Sequence, residues 1–294
     1  MKKEGRILKI CGIKKHIGKL DLGPLSFELK PGVITGLIGV NGSGKTTLLR
    51  TMMGSYVRDE GKLSYVDSYG NEEIIEDFKE DLSFVLADFP YHRALPASKI
   101  GKIYGNYYDS FDYSKYMELL KEYGVNENGN FKTMSKGECI KVQTAFALSY
   151  TSSIYVFDEP VGNLDPEFRD RFYDIMRDIV SDEKSSIIIS SHLVMELEKI
   201  ADDLIWIKDE KLYFYGTVDE LKDKYRIIDI SENELQYIDK DIIVGYKIRD
   251  NHSEVMISAD NNEQLERVEE RFRDKVRFAE LQEIMYFVEK GMEA

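Results

Sequence analysis

The sequence predicts an α/β core with an inserted helical subdomain and a small C-terminal α+β domain, on three observations. Short apolar strands alternate with helical patterns over roughly the first 225 residues, as in domains built around a parallel sheet. Residues 32–40, GVITGLIGV, are nearly unbroken apolar, the pattern of a strand buried on both faces. From about Arg226 the pattern resets to new apolar runs and a charged helix, which marks a second domain. The expected boundaries are 1–225 and 226–294.

Taken in order, the buried strand is followed by a helix over Thr46–Met53, closed by Gly54 just past its end. Between 91 and 130 the composition turns rich in Tyr, Asn and Gly, with helical stretches such as YSKYMELLKEYG. This predicts a helical subdomain inserted at about 91–150. SIYVF (153–157) and SSIIISS (185–191) read as two further central strands. Residues 166–180 place Phe168, Phe172, Ile175 and Ile179 on one helical face. In the last 69 positions, IIDI and DIIVGYKI precede a helix near 261–275 with Leu265, Val268 and Phe272 in one apolar stripe. No chemical motif occurs there.

Composition narrows the function. The 294 residues are 43% hydrophobic and 12% aromatic, enough for a buried core. Acids outnumber Lys and Arg by 54 to 40, a net charge of −14, which argues against a nucleic-acid partner. The charge is uneven, with ten Lys/Arg against three acids in residues 1–50. Two cysteines, Cys11 and Cys139, make no disulfide framework, and no apolar stretch approaches the roughly 20 residues of a membrane span. MKKEGRILKICGIKK lacks the apolar core of a signal peptide, so a cytoplasmic protein is expected.

The chemistry is concentrated in four short segments. GVNGSGKT (39–46) lies directly after the buried strand and before a helix, the setting that makes G-x-x-x-x-G-K-[ST] a phosphate loop. Gly39, Gly42 and Gly44 let successive amides of Val40, Asn41, Ser43 and the helix start, through Thr47, face an anion. Lys45 would reach the β/γ-phosphates of ATP, and the Thr46 hydroxyl would ligate Mg²⁺. IYVFDEP (154–160) ends an apolar strand in two carboxylates: Asp158 to hold Mg²⁺ through water, Glu159 to accept a proton from an attacking water. MSKGE (134–138) reads as a capping box, Ser135-x-x-Glu138, and equally as a γ-phosphate receptor at a helix N-terminus. SSH (190–192) puts His192 at the tip of a central strand, where parallel sheets bind ligands.

In this order the four segments resemble the nucleotide-binding subunit of ATP-binding-cassette (ABC) transporters, over about residues 5–225. MSKGE is similar to the family signature LSGGQ, and EPVGNLDPE to the family's EP-TSGLDP stretch. The resemblance implies a phosphate-loop NTPase fold of the ABC ATPase type and hydrolysis of ATP coupled to transport. It also implies a head-to-tail dimer with a second cassette, the same chain or another. Ser135, Lys136, Gly137 and Glu138 would then contact the γ-phosphate held by the opposite subunit. Asp165 would lie along the dimer seam, Glu159 would be the catalytic carboxylate and His192 the switch histidine. Asp165-Pro166 also reads simply as a helix N-cap followed by Pro at N1. A transmembrane permease on a separate chain would hold the subunit at the inner face of the cell membrane.

Departures from the family are specific. No Gln occurs between residues 1 and 142, so the family's metal-reaching Gln is missing; FVLADFPYH (84–92) stands in its place, with Ala87 or Asp88 at the position. Asp88 is the candidate metal ligand, a solvated loop acid being the alternative. The signature carries Lys136 for Gly and Glu138 for Gln. The adenine-stacking Tyr is missing, with His16 the best candidate in its place. Phe89, Tyr91 and Leu95 would either receive a permease helix or pack the helical subdomain. The SKG signature, the missing Gln and the end sequence LQEIMYFVEKG resemble most the bacterial ABC-2-type exporters of peptide or drug-like cargo. A catalytically weak cassette of a heterodimer, and a soluble ATPase acting on ribosomes or DNA, are the alternatives. This sequence shows neither the paired cassettes nor the long coiled coils that proteins of the latter kind carry.

Overall fold

The computed structural model describes residues 5–75, 81–88, 90–249, 252–258 and 262–291. The chain divides into two compact units: one of residues up to Leu193 with Ile200–Tyr213, the other Val194–Lys199 with the residues from Phe214 on.

The first unit opens with an antiparallel sheet. Its strands β1 (Ile7–Ile17), β2 (Leu20–Leu29), β4 (Glu60–Val66) and β5 (Glu72–Ile75) run in the order β2-β1-β4-β5. The β1–β2 hairpin pairs Lys15 with Leu22, His16 with Asp21 and Ile17 with Leu20. A six-stranded sheet forms the centre: β3 (Ile34–Ile38), β6 (Leu82–Val85), β7 (Ile154–Asp158), β8 (Ser186–Ser190), β9 (Asp203–Lys208) and β10 (Lys211–Thr217), in the order β10-β9-β3-β8-β7-β6. From β9 to β6 neighbouring strands are parallel. Every residue of β3, β7 and β8 is buried, which is why these strands read as continuous apolar runs rather than alternating ones.

Helices cover this sheet. α1 (Lys45–Met52) buries Leu48, Leu49 and Met52 and touches both β1 and β7. α5 (Pro166–Val180) turns Phe168, Phe172, Tyr173, Met176 and Ile179 inward and packs on β8. Ile175, expected on that face, is only half-buried, because Tyr173 and Met176 occupy the centre of the stripe. Between β6 and β7 lie α2 (Ala97–Tyr104), α3 (Tyr113–Glu122) and α4 (Lys136–Ala147), joined by an aromatic cluster. At its centre, Phe146 of α4 lies 4.8 Å from Phe111 and 5.2 Å from Tyr91, ring centre to ring centre. Tilted and edge-on pairs of this kind add to the burial of large apolar area.

The second unit is built on an antiparallel sheet of β11 (Tyr225–Ile230), β12 (Ile243–Arg249), β13 (His252–Ser258) and β14 (Val276–Phe278), in the order β12-β13-β11-β14. Its core joins Ile228, Ile230, Val255 and Ile257 of the sheet to Val268 of α8 (Asn262–Arg271) and to Phe272, with Leu265 packed against it. The short α6 (Val194–Leu197), α7 (Val218–Asp223) and the C-terminal α9 (Leu281–Lys290) complete the unit.

Candidate nucleotide site

An open cavity of about 630 Å³ lies over the C-terminal ends of β3, β7 and β8. It is lined by Leu20, Asn41, Gly42, Gly44, Lys45, Thr46, Thr47, Glu159, Asn163 and His192. Three expected segments therefore meet in one place, although more than 100 residues separate the first from the second.

The loop's shape follows from its glycines. Gly39 has φ +149°, and a Cβ there would meet the Ile207 carbonyl at 2.4 Å and Ser43 Oγ at 2.6 Å. Gly44 has φ +104°, and a Cβ there would lie 2.6 Å from the Leu22 side chain, so the loop rests directly on β2. The Ser43 hydroxyl is buried without a partner, a cost that a bound anion would relieve. Lys45 Nζ donates to the carbonyls of Gly39 at 2.7 Å and Val40 at 3.2 Å. A buried ammonium held by carbonyls beside the N-terminal turn of a helix is an anion cradle.

The carboxylates are held just as specifically. Asp158 is buried, and its Oδ1 accepts from Ser190 Oγ at 2.6 Å and from Thr46 Oγ1 at 3.3 Å. A hydroxyl and a carboxylate at this spacing are hard oxygen donors, so the pair fits a Mg²⁺ ion whose other ligands are phosphate and water. Glu159 sits in the left-handed region at φ +52°, sparsely populated for a non-glycine residue. Its amide donates to the Ser190 carbonyl at 3.1 Å and to Ser190 Oγ at 3.0 Å, which fixes that turn. Glu159 Oε2 accepts from the His192 amide at 3.2 Å and lies 2.5 Å from His192 Nδ1. Oε2 is thus engaged on His192, and Oε1 is left for water. Gly162 leaves room for the imidazole, since a Cβ there would meet His192 Cε1 at 3.0 Å.

The signature segment lies elsewhere. Ser135 caps α4: its Oγ accepts from the Glu138 amide at 3.1 Å, and Glu138 Oε2 accepts from the Ser135 amide at 2.8 Å. Both halves of the expected capping box are formed. Gly137 packs on the turn before α5, where a Cβ would meet the Asn163 carbonyl at 2.7 Å. Asp165 is the N-cap of α5, accepting from the Phe168 amide at 2.9 Å and from Lys141 Nζ at 3.0 Å. These two bonds, the Phe168 amide first, hold its carboxyl below the usual range. None of Ser135, Lys136, Gly137, Glu138 and Asp165 lines the phosphate cavity of its own chain. Lys136 instead lines a second cavity of about 280 Å³ with Ala87, Asp88, Gln143, Glu159 and Asn163. Glu159 and Asn163 border both cavities.

Two expectations need correction. His16 is opposite Asp21 in the hairpin, and alternation along the strands sets this pair on the face away from Lys15, Ile17, Leu20 and Leu22. Leu22 lies under Gly44, so the face toward the phosphate loop carries the aliphatic Ile17–Leu20 pair, not His16. Asp88 does not line the phosphate cavity; its Oδ2 accepts from Arg50 Nη2 of α1 at 2.8 Å, and its side chain is otherwise exposed. Tyr91 is buried against Tyr104 and Phe146, as the packing alternative expects. Leu95 is half-buried, and Phe89 lies outside the described residues. The sequence reading missed Leu20, Asn163 and Gln143; only the register of β1 on β2 and the packing of α4 reveal them.

The fold and the site together define a phosphate-loop nucleotide-binding protein. Comparison with known proteins carries this one step further: residues 22–162 match the family model described as ABC transporter, and the chain carries the ATP-binding domain, an ATPase, of that family. It is 27% identical over 212 residues to the ABC transporter ATP-binding protein YtrB of Bacillus subtilis, covering 71% of this chain and 70% of that one. It is 28% identical over 260 residues to an uncharacterized ABC transporter ATP-binding protein of Methanocaldococcus jannaschii, covering 83% and 92%. Among solved structures, an ATP-binding subunit of an ABC transporter superposes with a TM-score of 0.65 at 20% identity, covering 74% of this chain and 92% of the other. A post-hydrolysis cassette dimer bound to ADP and Pi superposes at 0.62 and 18% identity, covering 72% and 98%. No helix among the described residues is long and apolar enough to cross a membrane.

Proposed function

We propose that residues 1–225 of this ABC transporter ATP-binding subunit bind and hydrolyse ATP with Mg²⁺ in a head-to-tail pair of cassettes that drives a membrane permease on a separate chain. The observation that carries this reading is one cavity holding Lys45, Thr46, Asp158 and the Glu159–His192 pair. On binding, Lys45 exchanges the Gly39 and Val40 carbonyls for β/γ-phosphate oxygens, and the Ser43 hydroxyl gains a partner. Thr46 and Asp158 would hold the metal, which when bound supplies neutralisation of phosphate charge. Glu159 Oε1 orients the attacking water and takes its proton, while His192 keeps the carboxylate in place through Oε2. Ser135–Glu138 do not line their own phosphate cavity, which supports their use on the nucleotide of the opposite cassette.

The expected consequence is sharp. Glu159→Gln should leave binding of a fluorescent ATP analogue within about twofold and lower turnover by about 10²–10⁴-fold, the usual weight of a general base. Undiminished turnover overturns the assignment.

For direction we propose export of peptide or drug-like cargo, which the SKG signature, the missing Gln and the end sequence LQEIMYFVEKG support. Relatives at 27–28% identity include proteins named for ribose import and tungstate uptake, so direction is tested on the assembled transporter. Detergent extraction of membranes carrying a tagged copy should recover a stoichiometric multi-span protein, and cargo accumulation in inside-out vesicles would mark export. Lys136 and Glu138 in the signature favour a second reading, a weak cassette paired with a more active one. The Glu159–His192 bond opposes it, and site-specific hydrolysis in mixed dimers separates the two.

A further inference from the structure

We propose that Gln143 is a positioning residue that ties the signature helix to the phosphate-loop helix through the segment 86–88. The inference deepens the ATPase reading and rests on it. Gln143 lies in the second turn of α4, almost wholly buried, and clamps a single residue: Oε1 accepts from the Leu86 amide and Nε2 donates to the Leu86 carbonyl, both at 3.0 Å.

β6 is the last strand of its sheet, and its outward backbone groups need partners. Along the strand itself the turn after α4 supplies one: the Tyr150 hydroxyl donates to the Leu82 carbonyl, while Ser83 Oγ runs the other way and donates to the Ala147 carbonyl of α4. The Tyr150 bond is edge capping. Gln143 does something different, because Leu86 lies beyond the ladder, whose register with β7 ends at Val85 opposite Phe157. Fixing both the N–H and the C=O of one residue sets two consecutive peptide planes, and hence the course of Ala87 and Asp88. Asp88 then holds Arg50, five residues after Lys45 on α1, at 2.8 Å. Ala87, Asp88 and Gln143 also share the second cavity with Lys136 and Glu159.

The result is a continuous physical link from Lys45 on α1, through Arg50, Asp88 and Leu86, to Gln143, and along α4 to Ser135 and Lys136. A displacement of α1 on phosphate binding is passed by rigid, hydrogen-bonded parts to the helix that begins with the signature. A side chain that only filled the core would be Met or Leu; the paired amide instead meets the Leu86 N–H and C=O, which the ladder does not reach.

The test uses the full chain. Gln143→Met keeps the volume and removes both bonds; Asp88→Ala removes the far end at an exposed position. Each is expected to leave ATP affinity within about twofold and to lower kcat by about tenfold, and the double variant to be no slower than the slower single one. Multiplying effects in the double variant overturn the link. So does Gln143→Met lowering the melting temperature while kcat and KM stay unchanged, the result for an edge cap alone. Hydrogen exchange supplies a readout independent of turnover, and Asp88→Ala supplies it where Gln143→Met fails to fold. ATP should slow exchange in both 86–88 and 136–147 of the wild type, and in 86–88 alone of Gln143→Met; in Asp88→Ala the response of 136–147 should be lost. An ATP response in both segments of either variant, or in neither segment of an ATP-binding wild type, overturns the proposal. A wild type that fails to bind ATP overturns the ATPase reading itself, and the proposal with it.

Discussion

The ends of β7 and β8 and the core of the second unit obey opposite rules. Around α8, apolar residues recur at helical spacing against an alternating sheet, and charges pair at the rim, as Lys275 with Glu234 and Arg277 with Glu283. Local preferences there agree with the packing, the buried Ser253 hydroxyl of β13 excepted. At the strand ends of the first unit, preferences are violated: Glu159 is left-handed, Ser43 keeps a buried hydroxyl without a partner, and Lys45 is buried against carbonyls. A fold tolerates such violations where a ligand completes the account, so the contrast separates scaffold from site.

The contrast can be broken from either side. Phe272→Ala, in the apolar core of the second unit, should cost about 3–5 kcal/mol of that unit's stability. Calorimetry should show the loss while ATP affinity stays within about twofold; a large fall in affinity would place part of the site beyond the first unit. Next in size, Lys45→Ala should weaken ATP binding by about 1.5–3 kcal/mol, the weight of a charged hydrogen bond. Its melting temperature without nucleotide should change little, and titration calorimetry with a thermal scan checks both. Smaller still is the base end. Leu20→Asp should weaken nucleotide binding about tenfold by putting a charge on the aliphatic face, whereas His16→Ala should leave it unchanged. The reverse ranking would return His16 to the base. The smallest effect concerns acid. Bonded first by Lys275 and then by the Ser231 amide and hydroxyl, the Glu234 carboxyl is lowered to about 2 from its ordinary 4.5. A lowered acid adds stability at pH values above its ordinary one and loses it as pH falls toward the folded value. Glu234→Gln should therefore flatten the decline between pH 4.5 and 2, as far as acid titration followed by circular dichroism can resolve it.

Legibility in the sequence followed the reach of each signal. The phosphate loop, IYVFDE and SSH are contiguous strings, and each also marks a strand end, so their meeting on one sheet edge could be anticipated from the α/β pattern alone. The capping box at Ser135 and the N-cap at Asp165 are equally local, and both are formed. His16 illustrates where this stops. Its distance from Lys45 along the chain suited an adenine contact, but the parity of the β1–β2 register, invisible in one sequence, turned it to the other face. Asp88 was read as a metal ligand because nothing in the string FVLADF announces Arg50. Tyr91 and Gln143 were settled by the packing of α4, a tertiary fact without a local signature.

The closed capping box at Ser135 has an electrostatic corollary. The positive end of α4 already holds a negative charge of its own, the Glu138 carboxylate on the Ser135 amide. An arriving phosphate therefore gains only the difference between its charge and that of a resident carboxylate. A singly charged anion gains almost nothing, and a terminal phosphate bearing more charge gains enough to take the place. Lys136, next along the same turn, adds a positive charge that favours the more highly charged anion. In the proposed pair of cassettes such an end would discriminate by charge density, favouring the group at the tip of a nucleoside triphosphate over chloride and the carboxylates of its surroundings.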